Sequence, residues 1–239
     1  MRTYTRHMRP AIAMIELIFA IVVMGLTLMT APMILEQAKR GSFVSLQQES
    51  IAAAASHISI VLSRAWDQSD TNASLNAPIL TVTNGDSDLD RNITTGQRKG
   101  TPKNSNRTFL TPYGGLILSA STIGIDPDGL YNDIDDYSGK TFTLSPVSSA
   151  NNQGDYIDTT LQIQTTVAYN IDSPTGTTSY ATGNSISFDN PFTTDTATTN
   201  IKQIVVNLTN TIDELNKTIT LKAFSCNIGT YKPLKRKEY

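Results

Sequence analysis

Six aspartate and asparagine side chains crowd into the short run Asp126-Pro-Asp-Gly-Leu-Tyr-Asn-Asp-Ile-Asp-Asp136, namely Asp126, Asp128, Asn132, Asp133, Asp135 and Asp136. Ligands made only of oxygen suit calcium, which takes about six to eight of them and tolerates a flexible loop. Zinc would want nitrogen or sulfur, and magnesium a tighter octahedron. The spacing is not that of an EF-hand, and the same run also reads as an exposed acidic loop held by Asx-turns. A shorter patch, Asp86-Ser-Asp-Leu-Asp90, reads as plain turn chemistry. The other notable carboxylate is Glu16, which stands inside an otherwise uncharged apolar stretch from Ala11 to Leu35. A charge there costs about 2–3 kcal/mol on insertion scales, so it calls for a function.

Catalytic constellations are missing from the sequence. The two histidines are His7, close to the N-terminus, and His57, on a helical stretch where packing is the ordinary role; the single cysteine, Cys226, lies in an apolar alternation. That pair supports neither a zinc site of common composition nor a Cys-His nucleophile, and no Gly-x-Ser-x-Gly elbow occurs. The chain is therefore expected not to be an enzyme. One cysteine also precludes an intramolecular disulfide.

The elements that must position these residues begin with a bilayer-length apolar helix. From Leu17 to Leu35 nothing is charged, which meets the length criterion for a span. Arg2, Arg6 and Arg9 precede it, while Lys39 and Arg40 follow only several residues beyond its end, so the N-terminus is expected in the cytoplasm and the remainder across the inner membrane, in the periplasm. Residues 33–66 continue the helix. Val44, Ile51, Ala55, Ile58, Val61, Leu62 and Ala65 recur at three-, four- and seven-residue intervals, which predicts one apolar face covering a sheet. From Ile12 to Trp66 such a helix is about 80 Å long. Strands are expected at 79–83, 160–171, 201–212 and 219–228, the last two joined as a hairpin through Asp213-Glu-Leu-Asn-Lys217. In 160–171, Leu161, Ile163, Val167, Tyr169 and Ile171 alternate with Gln162, Gln164, Thr166 and Asn170. Stretches 84–108, 145–158 and 172–200 read as long loops. The expected class is α+β, a long N-terminal helix on an antiparallel sheet.

The segment Ala11-Ile-Ala-Met-Ile-Glu16-Leu-Ile-Phe-Ala-Ile-Val-Val-Met-Gly25 resembles the prepilin signal of type IV pilins and type II secretion pseudopilins. In that family a basic leader ends at a small residue, the cut exposes an apolar residue, and a glutamate follows as the fifth residue of the mature chain. Those positions fall on Ala11, Ile12 and Glu16. The family more often has glycine and phenylalanine flanking the cut. The resemblance implies cleavage between Ala11 and Ile12 and methylation of Ile12 by prepilin peptidase. It further implies pairing of Glu16 with the Ile12 amine of a neighbouring subunit, and the familiar helix-bending proline, here Pro32. It divides the chain into a leader (1–11), the membrane half of the helix (12–35), its periplasmic half (36–66) and a β-rich pilin-like domain (67–239). Partners implied are prepilin peptidase, other pilin or pseudopilin subunits, an inner-membrane assembly platform and membrane lipid. Calcium-stabilised loops also occur in major pseudopilins, and Asn132-Asp-Ile-Asp-Asp-Tyr137 looks like a motif of some minor pilin-like domains.

Charge excludes another class of partner. The formal charge of −2 becomes −5 once Met1 to Ala11 is removed, which disfavours nucleic acid; Lys232, Lys235, Arg236 and Lys237 read as a solvated tail. Two functions fit: a structural subunit of a type II secretion pseudopilus or type IV pilus, or a singly anchored periplasmic binding module that does not polymerise.

Overall fold

The computed structural model describes residues 10–70, 79–90, 98, 118–124, 126, 129–144, 160–176, 178–180, 183–188, 192–210 and 218–229, with side chains from Ala13 onward. Two compact units divide the chain, Met1–Glu49 and Ser50–Tyr239. Helix α1 spans Pro10–Leu62 and contains Pro32. Among the described residues, Ala13 to Lys39 are exposed throughout. The hydroxyls of Thr27 and Thr30 donate to the carbonyls of Met24 and Thr27 at 2.9 and 3.0 Å. Both polar groups are thereby satisfied by their own helix, as a lipid environment requires. This stretch is a candidate membrane span.

The second unit is a β-sheet with the last turns of α1 on it, so the fold is α+β. Strands β1 (Thr141–Leu144), β2 (Leu161–Asn170), β3 (Thr194–Asp195), β4 (Ile201–Asn210) and β5 (Ile219–Cys226) pair antiparallel in the order β1-β2-β4-β5, with β3 beside the end of β2. β2 and β4 run in register from Leu161↔Asn210 to Asn170↔Ile201. Strict alternation along β2 turns Leu161, Ile163, Thr165, Val167 and Tyr169 inward and Gln162, Gln164 and Thr166 outward. A period of two places alternate side chains on opposite faces, so one face is buried and the other wet. β4 contributes Lys202, Ile204, Val206 and Leu208 to the core.

The face that α1 turns to the sheet matches the expected one at Ile58 and Val61 and departs from it elsewhere. Ser50, Ala54 and Val61 are buried, with Ala53 and Ile58 packed partly against the core, while Val44, Ile51 and Leu62 remain 54%, 39% and 40% exposed. The helix is apolar around much of its circumference, so periodicity alone does not choose a face. Ala54 and Val61 share one buried cluster with Ile163, Val167 and Ile204. Val61→Ala is therefore expected to cost about 2 kcal/mol, and Leu62→Ala less than about 1 kcal/mol. Chemical denaturation of the detergent-solubilised chain checks both; equal losses would mean the face is misassigned.

Other expectations shift in detail. The stretch 79–83 is not a strand: Ile79 and Leu80 are buried and Thr81 makes an isolated bridge to Ser119. Leu80 is held instead by Asn227, whose side chain accepts from its N–H at 2.9 Å and donates to its carbonyl at 2.8 Å. At the end of β2 the alternation breaks, leaving Asn170 buried and Ile171 43% exposed; the Asn170 carbonyl there accepts the Thr199 hydroxyl. β1 and β3 were not expected. β4 and β5 pair antiparallel as anticipated; residues 211–217, which connect them, lie outside the described residues. The turn at Asn84-Gly85-Asp86 needs glycine for space, since a Cβ on Gly85 would come within 2.5 Å of Asn200 Nδ2 and Val82 Cγ2.

Candidate functional site

Glu16 lies on the first turns of α1, exposed, among exposed Met14, Ile15, Leu17, Ile18 and Phe19. Ala11 and Ile12 fall within the helix, and their side chains lie outside the described residues. The next charged residues along the helix are Glu36, which pairs with Arg40 at 2.6 Å across one exposed turn, and Lys39, whose ammonium lies 5.4 Å from the centre of the Phe43 ring.

A second concentration of charge lies in the sheet unit. Lys202 is inward on β4, on the same face as Ile204 and Val206, and is fully buried. Its Nζ donates to Asp135 Oδ2 at 2.6 Å, to the Trp66 carbonyl at 2.7 Å and to Asp67 Oδ2 at 3.1 Å. These three acceptors match the three protons of an ammonium. Trp66 and Tyr169 lie against it, with ring centres 4.1 and 5.2 Å from Nζ. Asp67 follows the end of α1. Its Oδ1 accepts from Ser69 N, and its Oδ2 from the backbone N–H and hydroxyl of Ser121 at 2.8 and 3.0 Å. The Ser121 hydroxyl also lies 3.3 Å from Asp135 Oδ2, and the Ser121 carbonyl accepts the Tyr169 hydroxyl at 2.6 Å. One lysine thus fastens the chain beyond α1, the acidic turn and the central sheet at a single point.

The acidic run folds into a 3-10 turn at Asp135–Tyr137. Asp136 Oδ2 accepts the N–H groups of Asn132 and Asp133 at 3.0 and 3.1 Å, its Oδ1 accepts that of Asp126 at 3.4 Å, and Asp133 Oδ1 accepts that of Asp136 at 3.1 Å. This is Asx-turn chemistry turned inward: Asp133, Asp135 and Asp136 are all buried. Asp128 lies outside the described residues. Among the described residues no group of three or more His, Cys, Asp or Glu side chains is arranged to hold a metal, and Asp135 already faces a cation. The patch at 86–90 closes by the same chemistry, with Asp88 N donating to Asp86 Oδ1 at 2.8 Å.

Crowding carboxyls in a dry core raises their proton affinity. Burial, and then the charge of Asp135, push Asp133 up to about 7. Burial and then Asp67 push Asp70 up to about 7. Burial raises Asp135 to about 6 against the opposing pull of Lys202. Folded-state values above the unfolded 3.8 mean that the native protein binds more protons between about 4 and 7, so stability falls as pH rises through that window. The melting temperature is expected to drop between mildly acidic and mildly alkaline buffer. Asp133→Asn, which keeps the Oδ1 acceptor and mimics the protonated acid, is expected to flatten much of that drop; an unchanged slope would exclude Asp133 as its source.

His57 is a packing residue with a polar anchor, its Nε2 2.8 Å from Thr165 Oγ1 and its ring 5.0 Å from that of Phe142. Cys226 is a free, partly buried thiol whose burial pushes its pKa up. Lys202 and Asp67 are the residues that sequence reasoning missed. One signal was available for the lysine: in 201–208 it occupies the same alternation as Ile204, Val206 and Leu208. Asp67 reads as an ordinary helix-terminal turn residue, and nothing local distinguishes it. No protein-family model matches this chain, and no curated protein and no solved structure matches it.

Proposed function

We propose that this chain is a structural, non-enzymatic subunit of a type II secretion pseudopilus or type IV pilus, inserted in the inner membrane, cut after Ala11 and polymerised through its N-terminal helix. The observation that carries the proposal is Glu16. It is the single charge between Ala11 and Leu35, exposed on an uncovered apolar helix, where an isolated chain gains nothing from it. A partner carrying a positive charge at that depth makes it useful, and the amine freed at Ile12 on a neighbouring subunit supplies one. Neutralising a buried charge by pairing gives register as well as attraction. The α+β layout, with the last turns of α1 on an antiparallel sheet, is compatible with this architecture.

The mass of the mature N-terminus tests the proposal. A product beginning at methylated Ile12 is the expected result, and a chain retaining Met1 to Ala11 would favour the anchored binding module instead. Ala11→Phe should leave the leader attached, because the peptidase site would have to admit a bulky ring where a methyl group stood. Normal maturation of that variant would place the cut elsewhere.

A further inference from the structure

We propose that Lys202 and Asp135 are the two halves of an intramolecular isopeptide bond, an amide joining Nζ to Cγ, with Asp67 as the proton carrier. The nitrogen is 2.6 Å from Asp135 Oδ2, which puts it about 3.5 Å from the carbon it would attack, within the range of a near-attack geometry. Both side chains are buried, at 0% and 1% exposure. A salt bridge does not form an amide in water, because a solvated ammonium has no lone pair and a carboxylate resists attack. Burial against Trp66 and Tyr169 keeps that water away from the pair. The raised proton affinity of Asp135 supports the neutral acid as its reactive form.

Asp67 supplies the remaining part. Its Oδ2 is 3.1 Å from the same nitrogen, and the Ser121 hydroxyl bridges it to Asp135 Oδ2. Starting from the neutral pair, Nζ attacks Cγ and the C–N bond forms. Asp67 accepts a proton from nitrogen and returns it, through Ser121 or directly, to the departing oxygen. The Cγ–Oδ2 bond breaks, one water leaves, and no electron acceptor or donor is involved. Asp135 Oδ1 meets no hydrogen-bond donor among the described residues; it becomes the amide carbonyl. The product replaces the ion pair of Lys202 and Asp135 with one neutral amide, and Asp67 keeps the hydrogen bonds from Ser69 and Ser121. It also ties β4 to the acidic turn across 67 residues of chain. Such a closure restricts the unfolded state as a disulfide does, in a chain whose single cysteine can form none within itself.

Tryptic mapping of the purified full-length chain in detergent tests the bond. Acylated Lys202 resists trypsin, so the expected product is segment 141–217, uncut at Lys202, branched to segment 108–140 and lighter than the two together by one water. Asp67→Asn should return the linear peptides, with cleavage at Lys202 restored. Complete recovery of linear 108–140 and 141–202 from the unmutated chain would overturn the proposal. A branch to 65–91 would transfer the acyl role to Asp67, and full cross-linking in Asp67→Asn would remove Asp67 as proton carrier.

Discussion

Glu16→Ala is expected to insert into the membrane at least as well as the unmutated chain and to disappear from sheared filaments. The two halves have opposite signs for one reason. In the monomer the carboxylate is a cost of about 2–3 kcal/mol to an apolar helix, and its removal eases insertion. In the proposed filament it would be half of a pair, and removing one partner would leave the other charge unpaired in an apolar interior, at about 3–5 kcal/mol for each contact. That amounts to at least a hundredfold loss of incorporation. Membrane fractionation and sheared-filament yield measure the halves separately. Glu16→Gln keeps shape and hydrogen bonding without charge and should fail as alanine does. Normal incorporation of either variant would remove Glu16 from assembly and, with it, the main support for the filament reading.

Lys202→Met should be the most damaging single change in the sheet unit. Methionine matches the stem in size and fits the space between Trp66 and Tyr169, so packing is largely kept. What is lost is the nitrogen that balances Asp67 and Asp135 as a cation or, once the amide has formed, joins Asp135 covalently; both acids are buried, at 0% and 1% exposure. Leaving them unpaired costs about 3–5 kcal/mol, comparable with the whole stability of a small domain. Asp67→Asn and Asp135→Asn added to Lys202→Met remove the stranded charges and should recover a large part of the loss, since replacing a buried ion pair entirely is far less costly than halving it. Urea denaturation of the single and triple variants decides. Equal stability of Lys202→Met and the unmutated chain would mean that the cluster does not hold the fold together.

The acidic run shows how far local reading reaches. Its composition announces turns and oxygen ligands, and the Asx-turns at Asp133 and Asp136 were legible because they depend on residues three or four apart. Its burial was not, because Asp135 is covered by a lysine 67 positions away, itself held against Trp66 and Tyr169 on other elements. An exposed loop and a neutralised core have the same sequence until the cation arrives. The helix tells the same story. Its length and its apolar span follow from composition, whereas which of its apolar residues are buried depends on the cluster formed with Ile163, Val167 and Ile204 of the sheet.

By itself, then, the sequence determined what period and composition can carry: an uncharged stretch of bilayer length with one carboxylate in it, the alternation of β2, the β4–β5 pairing, and hence the α+β class. Each depends on neighbours within one element, where a period of 3.6 or 2 fixes which side chains share a face. Tertiary structure alone decided the partners of Lys202, the inward turn of Asp133, Asp135 and Asp136, the conversion of 79–83 from strand to a segment held by Asn227, and the face of α1 that meets the sheet. Those choices depend on charge balance and volume between residues far apart in the chain, and neither quantity is periodic.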